Sequence, residues 1–309
     1  MYTIIVDSAA NIPATLVDQY NIMVLPMQVF VDNKEIPGFI PHLSLEEERA
    51  KGKEYYDAVR NGAKVKTSLV STGRFEEVFE EELKKGNDVI YISLSSNISG
   101  TYQAACIAAS DLEDTYKDHK VYCVDSMNAS LAQGNLAIYA SQMLSQGVEA
   151  KEAARILQEC AHGMNGVFTV DDLKYLAATG RLHGGVAVVG QMLKIKPLLK
   201  GNKDGFIVSF QKCHGRKKAL NALIDIVCEN AIHPEKQILG IAQADCYEES
   251  CYVVDKILER VQFKEVINTS YDYCTGSHVG PGTIALFFIG SDRELAGKNE
   301  TDYEIFKYL

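Results

Sequence analysis

Short apolar runs alternate with helical patterns through the first half of the chain. Thr3–Val6, Val89–Leu94 and Val121–Val124 fit buried strands. Between them, Ser44 and Glu47 have capping-box spacing ahead of a polar helix. Phe75, Val78, Phe79 and Leu83 fall on one helical face. Gln103 to Ser110 is alanine-rich and fits a closely packed helix. Ala129 to Gln146 continues the pattern and stops at Gly147, a residue suited to the position after a helix end. Alternation of this kind predicts a parallel sheet covered by helices on both faces.

The rhythm changes near Gly163. Lys194–Leu199 and Phe206–Lys212 flank the turn-rich Gly201-Asn202-Lys203-Asp204-Gly205, which predicts a hairpin. A helix follows over Arg216 to Asn230, with Leu220, Leu223, Ile224 and Val227 as its apolar stripe. Then come a strand (Gln237–Ala244), a helix (Glu248–Val261) and two strands (Val266–Tyr271 and Thr283–Ile289). The expected fold is α/β. An N-terminal parallel-sheet α/β domain spans 1–163, and a C-terminal α+β domain with a mixed or antiparallel sheet spans 164–309. At 309 residues the chain is long enough for two cores.

Composition narrows the function classes. With 31 basic and 41 acidic residues the formal net charge is −10, which argues against nonspecific nucleic-acid binding. It also disfavours a broad electrostatic dock on anionic lipid, leaving transient membrane contact at most. No apolar run has the length of a membrane span. Met1 to Asp7 lacks a basic leader and reads as a first strand, so a cytoplasmic location is expected. The eight cysteines are scattered with no C-x-x-C pair. That pattern suits free thiols in a reducing compartment and offers no metal site.

Candidate chemistry sits at strand ends, where α/β folds place ligands. Asp7-Ser8, Ser95-Ser96 and Asp125-Ser126 each follow a β-like run. The same residues are also suited to capping the next helix. Ser95-Ser96 with Ser99-Gly100-Thr101 offers hydroxyls at a helix start, a natural carboxylate or phosphate site. Thr67, in Lys66-Thr67-Ser68, adds a hydroxyl or caps a helix. Gly276-Ser277-His278-Val279-Gly280-Pro281-Gly282 is expected to display His278 on a glycine-rich loop. Arg181, past a helix end, could bind an anion or complement the helix dipole. Arg216 opens a basic cluster at a helix start, against the dipole. Gly184 to Gly190 lacks the Lys-Ser/Thr of a phosphate loop and reads as a small-residue helix.

These residues, in this order, resemble the DegV family of bacterial fatty-acid-binding proteins. The resemblance runs from Ile5-Val6-Asp7-Ser8 through Lys66-Thr67-Ser68, Ser95 to Gln103 and Val124-Asp125-Ser126. It continues through Leu173 to Arg181, Leu193 to Pro197, Lys217-Lys218-Ala219 and His278 to Gly282. It implies a long-chain fatty acid bound between two domains as the ligand, with no cofactor. Its carboxylate would meet Thr67, Ser95 or Ser96, and His278. The resemblance also implies a partner, a fatty acid kinase catalytic subunit that makes an acyl phosphate for phospholipid synthesis. Arg181, Arg216 and Ser126 would be head-group or partner contacts. The family's Arg-x-Arg-Lys-Lys-Ala stretch here begins with His214.

Two other classes fit some of these residues. A Ser/His hydrolase would use Ser95 or Ser96 as nucleophile and His278 as base. It lacks the G-x-S-x-G elbow. A phosphotransfer subunit like those of dihydroxyacetone kinases would need a small polar pocket instead of a long apolar one.

Overall fold

A computed structural model describes residues 1–184, 195–297 and 301–309. The first half forms β1 (Tyr2–Asp7), α1 (Ala14–Gln19), β2 (Ile22–Leu25), β3 (Gln28–Val31) and β4 (Lys34–Ile36). It continues with α2 (Leu45–Arg60), β5 (Val65–Ser68), α3 (Thr72–Lys84), β6 (Asp88–Ser93), α4 (Thr101–Glu113) and β7 (Val121–Asp125). Helices α5 (Leu131–Ser145) and α6 (Ala150–Ala161) complete it. Strands β2-β1-β6-β7 make an all-parallel sheet, as the alternation predicts. A second, three-stranded antiparallel sheet, β4-β3-β5, was not foreseen. Its strands are short and mostly half-exposed, so they lack the apolar run that marks a buried strand.

The second half forms β8 (Met164–Thr169), α7 (Lys174–Ala178), β9 (Ile195–Gly201), β10 (Ile207–His214) and α8 (Arg216–Asn230). Then follow β11 (Ile238–Gln243), α9 (Tyr247–Leu258), β12 (Glu265–Ser270), α10 (Tyr273–Val279) and β13 (Ile284–Ile289). The sheet order is β10-β9-β8-β13-β11-β12, with only β11 and β12 parallel. The expected hairpin is β9–β10, and the mixed sheet is as expected. The small-residue helix expected at 184–190 lies, from Gly185 on, outside the described residues.

Helix α5 joins the two main sheets. Its first ten residues, Leu131 to Ala140, are all buried, so that stretch has no solvent face. Gly134 lets the helix approach Ala10, whose carbonyl would lie 2.6 Å from an added Cβ. Two buried amides fix its register. Gln133 donates to the Asp7 carboxylate (3.0 Å) and Asn135 to the Ile238 carbonyl (3.1 Å). The last described turn, Glu304–Lys307, packs its Ile305 and Phe306 into the core that α5 shares with both sheets.

Candidate functional site

The ends of β5, β6 and α10 enclose a cavity of about 340 Å3. That is within the roughly 300–1,000 Å3 range of ligand sites. Thr67 lies in β5, which is held by its ladder to β3. Corrected against the sequence reading, His278 stands in the last turn of α10 and not on a loop. Asp272 caps that helix through a 2.8 Å bond from the Thr275 amide, and Gly280 (φ +81°) ends it. Such a cap makes a helix of a stretch that its glycines alone mark as a loop. His278 thereby reaches Thr67, with Nε2 3.0 Å from Oγ1. Arg181 lines the same cavity, half-buried.

Burial, helped by the Arg181 guanidinium, pushes the His278 imidazole down to about 4. The ring is therefore neutral at pH 7. Its Nδ1 is buried with no hydrogen-bond partner among the described residues. Away from this polar end the walls are Met27, Leu94, Ile98, Leu176, Ile207 and Val279. A smaller space of about 40 Å3 shares Ile98, Ala129, Ile207 and Val279 with it and is lined further on by Phe168 and Phe287. The arrangement is a largely apolar slot, with Thr67, Arg181 and His278 on the larger space and Asn128, Ser130 and Thr275 on the smaller one. It suits a long apolar chain bearing an anionic or hydrogen-bonding head.

Not every expected residue arrives there. Neither Ser95 nor Ser96 lines the cavity. The Ser95 hydroxyl is fully buried and donates to the Gly205 carbonyl (2.9 Å), tying the two halves together. Ser96 is exposed, and its amide points to the Asp125 carboxylate at 3.3 Å. The loop turns after Ser95, so Ser99 and Gly100 face the cavity instead. Ser126 is buried and donates to its own loop at the Asn128 carbonyl (3.1 Å). Arg216 is neutralised by Glu249 (2.8 Å), with Asp171 at 3.7 Å, and is not a wall of the cavity. That pairing answers its unfavourable place at the start of α8. Asp7 and Asp125 act as local caps, taking the Ala9 and Met127 amides.

The sequence reading did not single out Ser68 or Thr275, which also line the cavity. Thr275 precedes His278 by three positions. Reading that stretch as a helix would have placed both on one face. A hydrolase geometry is not assembled. Ser95 is committed to Gly205, and His278 meets Thr67 on one nitrogen with no carboxylate among the described residues on the other.

A family described as uncharacterised proteins of the DegV family matches residues 1–291. The chain belongs to the DegV family. A DegV domain-containing protein of Clostridium perfringens is 34% identical over 293 residues, covering 95% of this chain and 99% of that one. Among solved structures, a DegV lipid-binding protein of Thermotoga maritima aligns with TM-score 0.78 at 27% identity, covering 95% of this chain and 100% of that one. The DegV fatty-acid-binding protein of Bacillus subtilis aligns with TM-score 0.75 at 27% identity, covering 94% and 99%. The mixed α/β architecture of these DegV proteins is the one described above. No helix among the described residues is long and apolar enough to cross a membrane.

Proposed function

We propose that this DegV protein binds a long-chain fatty acid in the apolar slot and presents its carboxylate to a separate kinase. The observation that carries the reading is the Thr67–His278 contact in a cavity whose remaining walls are largely apolar. DegV relatives from Thermotoga maritima and Bacillus subtilis are described as binding fatty acids.

The energetics favour such cargo. Burying an acyl chain contributes roughly 0.8 kcal/mol per methylene, on the order of 10 kcal/mol gross for a sixteen-carbon acid. Association costs take back a large part of that gain. A buried carboxylate without partners would cost several kcal/mol. Thr67, neutral His278 and Arg181 supply hydrogen-bond donors for it. If the Thr67 hydroxyl donates to Nε2, the ring proton sits on Nδ1. If Nε2 donates to Thr67, the hydroxyl proton is free to meet the carboxylate. The second tautomer leaves the Thr67 hydroxyl as a donor for the ligand, whereas in the first the spare proton is on the buried Nδ1.

In this reading the head-group set is Thr67, His278 and Arg181, with Ser68 and Ser99 beside them in place of Ser95 and Ser96. Arg181, half-exposed, stands where an incoming phosphate would need a cation. The protein itself is a carrier, working in the cytoplasm to supply acyl phosphate for phospholipid synthesis. The test is a coupled assay with a fatty acid kinase catalytic subunit, ATP and this protein loaded with oleate, trapping acyl phosphate as the hydroxamate. Product should form only when all three are present and should fall with Arg181→Ala. Product formed without this protein would exclude the presenting role.

A further inference from the structure

The smaller, deeper space of the slot is not lined as a plain hydrocarbon would require. Ile98, Phe168, Val279 and Phe287 are apolar, but Ser130 and Asn128 stand among them. Ser130 is 1% exposed, and its Oγ has no hydrogen-bond partner among the described residues. A buried hydroxyl left unpaired against an alkyl chain is destabilising.

The backbone explains why this hydroxyl is free. Ser130 stands just ahead of α5, where a serine ordinarily caps the helix with its side chain. Here it makes no such bond. Its φ of +56° and ψ of −145° lie in a region that residues other than glycine rarely adopt. The Ser130 amide donates to the Ala9 carbonyl (2.8 Å) and its carbonyl accepts from the Gly134 amide (3.0 Å), which together hold that conformation. The side chain is turned from the helix end, and Ser130 lines the deeper space instead.

Asn128 supplies an acceptor in the same space. Its Nδ2 is taken by the Met164 carbonyl (3.0 Å), while its Oδ1 receives the adjoining Ala129 amide at 3.3 Å. Gly166 leaves that oxygen uncovered, since a Cβ there would fall 2.5 Å from Oδ1. Tyr271 lines this space too. Burial and Asp272 push its phenol up and Ser130 eases it back, a proximity without an aligned bond, since Ser130 Oγ stays unpartnered.

We propose that the slot is selective for a hydroxylated long-chain fatty acid, its mid-chain hydroxyl accepting from Ser130 and donating to Asn128 Oδ1. A hydroxyl matches this pair because it is donor and acceptor at once. A methylene in the same place pairs with neither. A site that hydrogen-bonds a ligand hydroxyl rejects the analogue lacking it, because its own polar groups are then left bare. The inference rests on the fatty-acid reading of the slot and names the class of acid.

The test is titration calorimetry on the delipidated full chain, with stearate and with hydroxystearates bearing the hydroxyl at the tenth or the twelfth carbon. At least one hydroxy acid should bind roughly tenfold more tightly than stearate. Ser130→Ala should erase the difference. Ser130→Gly, in which the positive φ carries no strain, should erase it too, so the reading does not depend on one variant folding. Stearate bound by the wild-type protein as tightly as both hydroxy acids would overturn the selectivity and leave the fatty-acid reading standing. Failure of all three acids to bind would overturn both. A preference that survives both variants would overturn the assignment of the hydroxyl contact to Ser130.

Discussion

Thr67 Oγ1 lies 3.0 Å from His278 Nε2, although 211 positions separate the two residues. Thr67 is carried by the small antiparallel sheet and His278 by a seven-residue helix between β12 and β13. Their meeting is what converts an apolar cavity into one with a defined polar end. Replacing Thr67 with Val keeps the shape and removes the hydroxyl. Thr67→Val should weaken fatty-acid binding by ~1–3 kcal/mol, roughly 5- to 150-fold. Ser96→Ala, exposed and outside the cavity, should leave affinity within about twofold. Titration calorimetry with oleate on delipidated protein checks both. Equal losses in the two variants would return Ser96 to the head group.

His278 gives the ligand-free protein a pH signature. Its imidazole falls from 6.5 to about 4 in the folded chain because burial disfavours the cation. Between those values the unfolded chain binds the extra proton and the folded one does not. Stability should therefore be full above about pH 6.5 and be lost as pH falls toward 4, by about 3 kcal/mol in all. His278→Gln should flatten that part of the curve in urea melts. A bound carboxylate should raise the imidazole value, visible in the ring-proton shifts on adding oleate.

Gly276 sits where α10 crosses Tyr56. A Cβ there would fall 1.9 Å from the Tyr56 hydroxyl, which is itself buried and donates to the Tyr271 carbonyl (3.2 Å). A rigid aromatic ring has little room to yield. Gly276→Ala should cost roughly 1–3 kcal/mol of stability. It should also weaken fatty-acid binding, because the helix that must shift carries His278. Thermal melts and oleate titration measure the two effects. An unchanged melting temperature would mean that the crossing is looser than described.

Much of the fold was legible in the sequence because it is written in local periodicity. The strands of the parallel sheet are apolar runs, α8 starts and ends where its stripe predicts, and the Ser44–Glu47 capping box forms as spelled. The β4-β3-β5 sheet was not legible, because half-exposed three- and four-residue strands carry no run to detect. At the site, Thr67, His278 and Arg181 line one cavity. The serine pair does not, for a reason the residues alone conceal. Ser95 is drawn to the Gly205 carbonyl, 110 positions away, and a contact at that separation leaves no mark on local pattern. Three glycines mark the stretch around His278 as a loop, while the Asp272 cap that makes it a helix lies ahead of that stretch.

The central claim is that the slot holds an acyl chain, and the most direct measurement is of the protein's own cargo. Protein purified without detergent is denatured, extracted with organic solvent and read by mass spectrometry. The account predicts about one long-chain fatty acid, roughly C14–C18, per chain, and a clear reduction in the Thr67→Val protein. An extract with no fatty acid, from protein that also fails to take up added oleate, would contradict it.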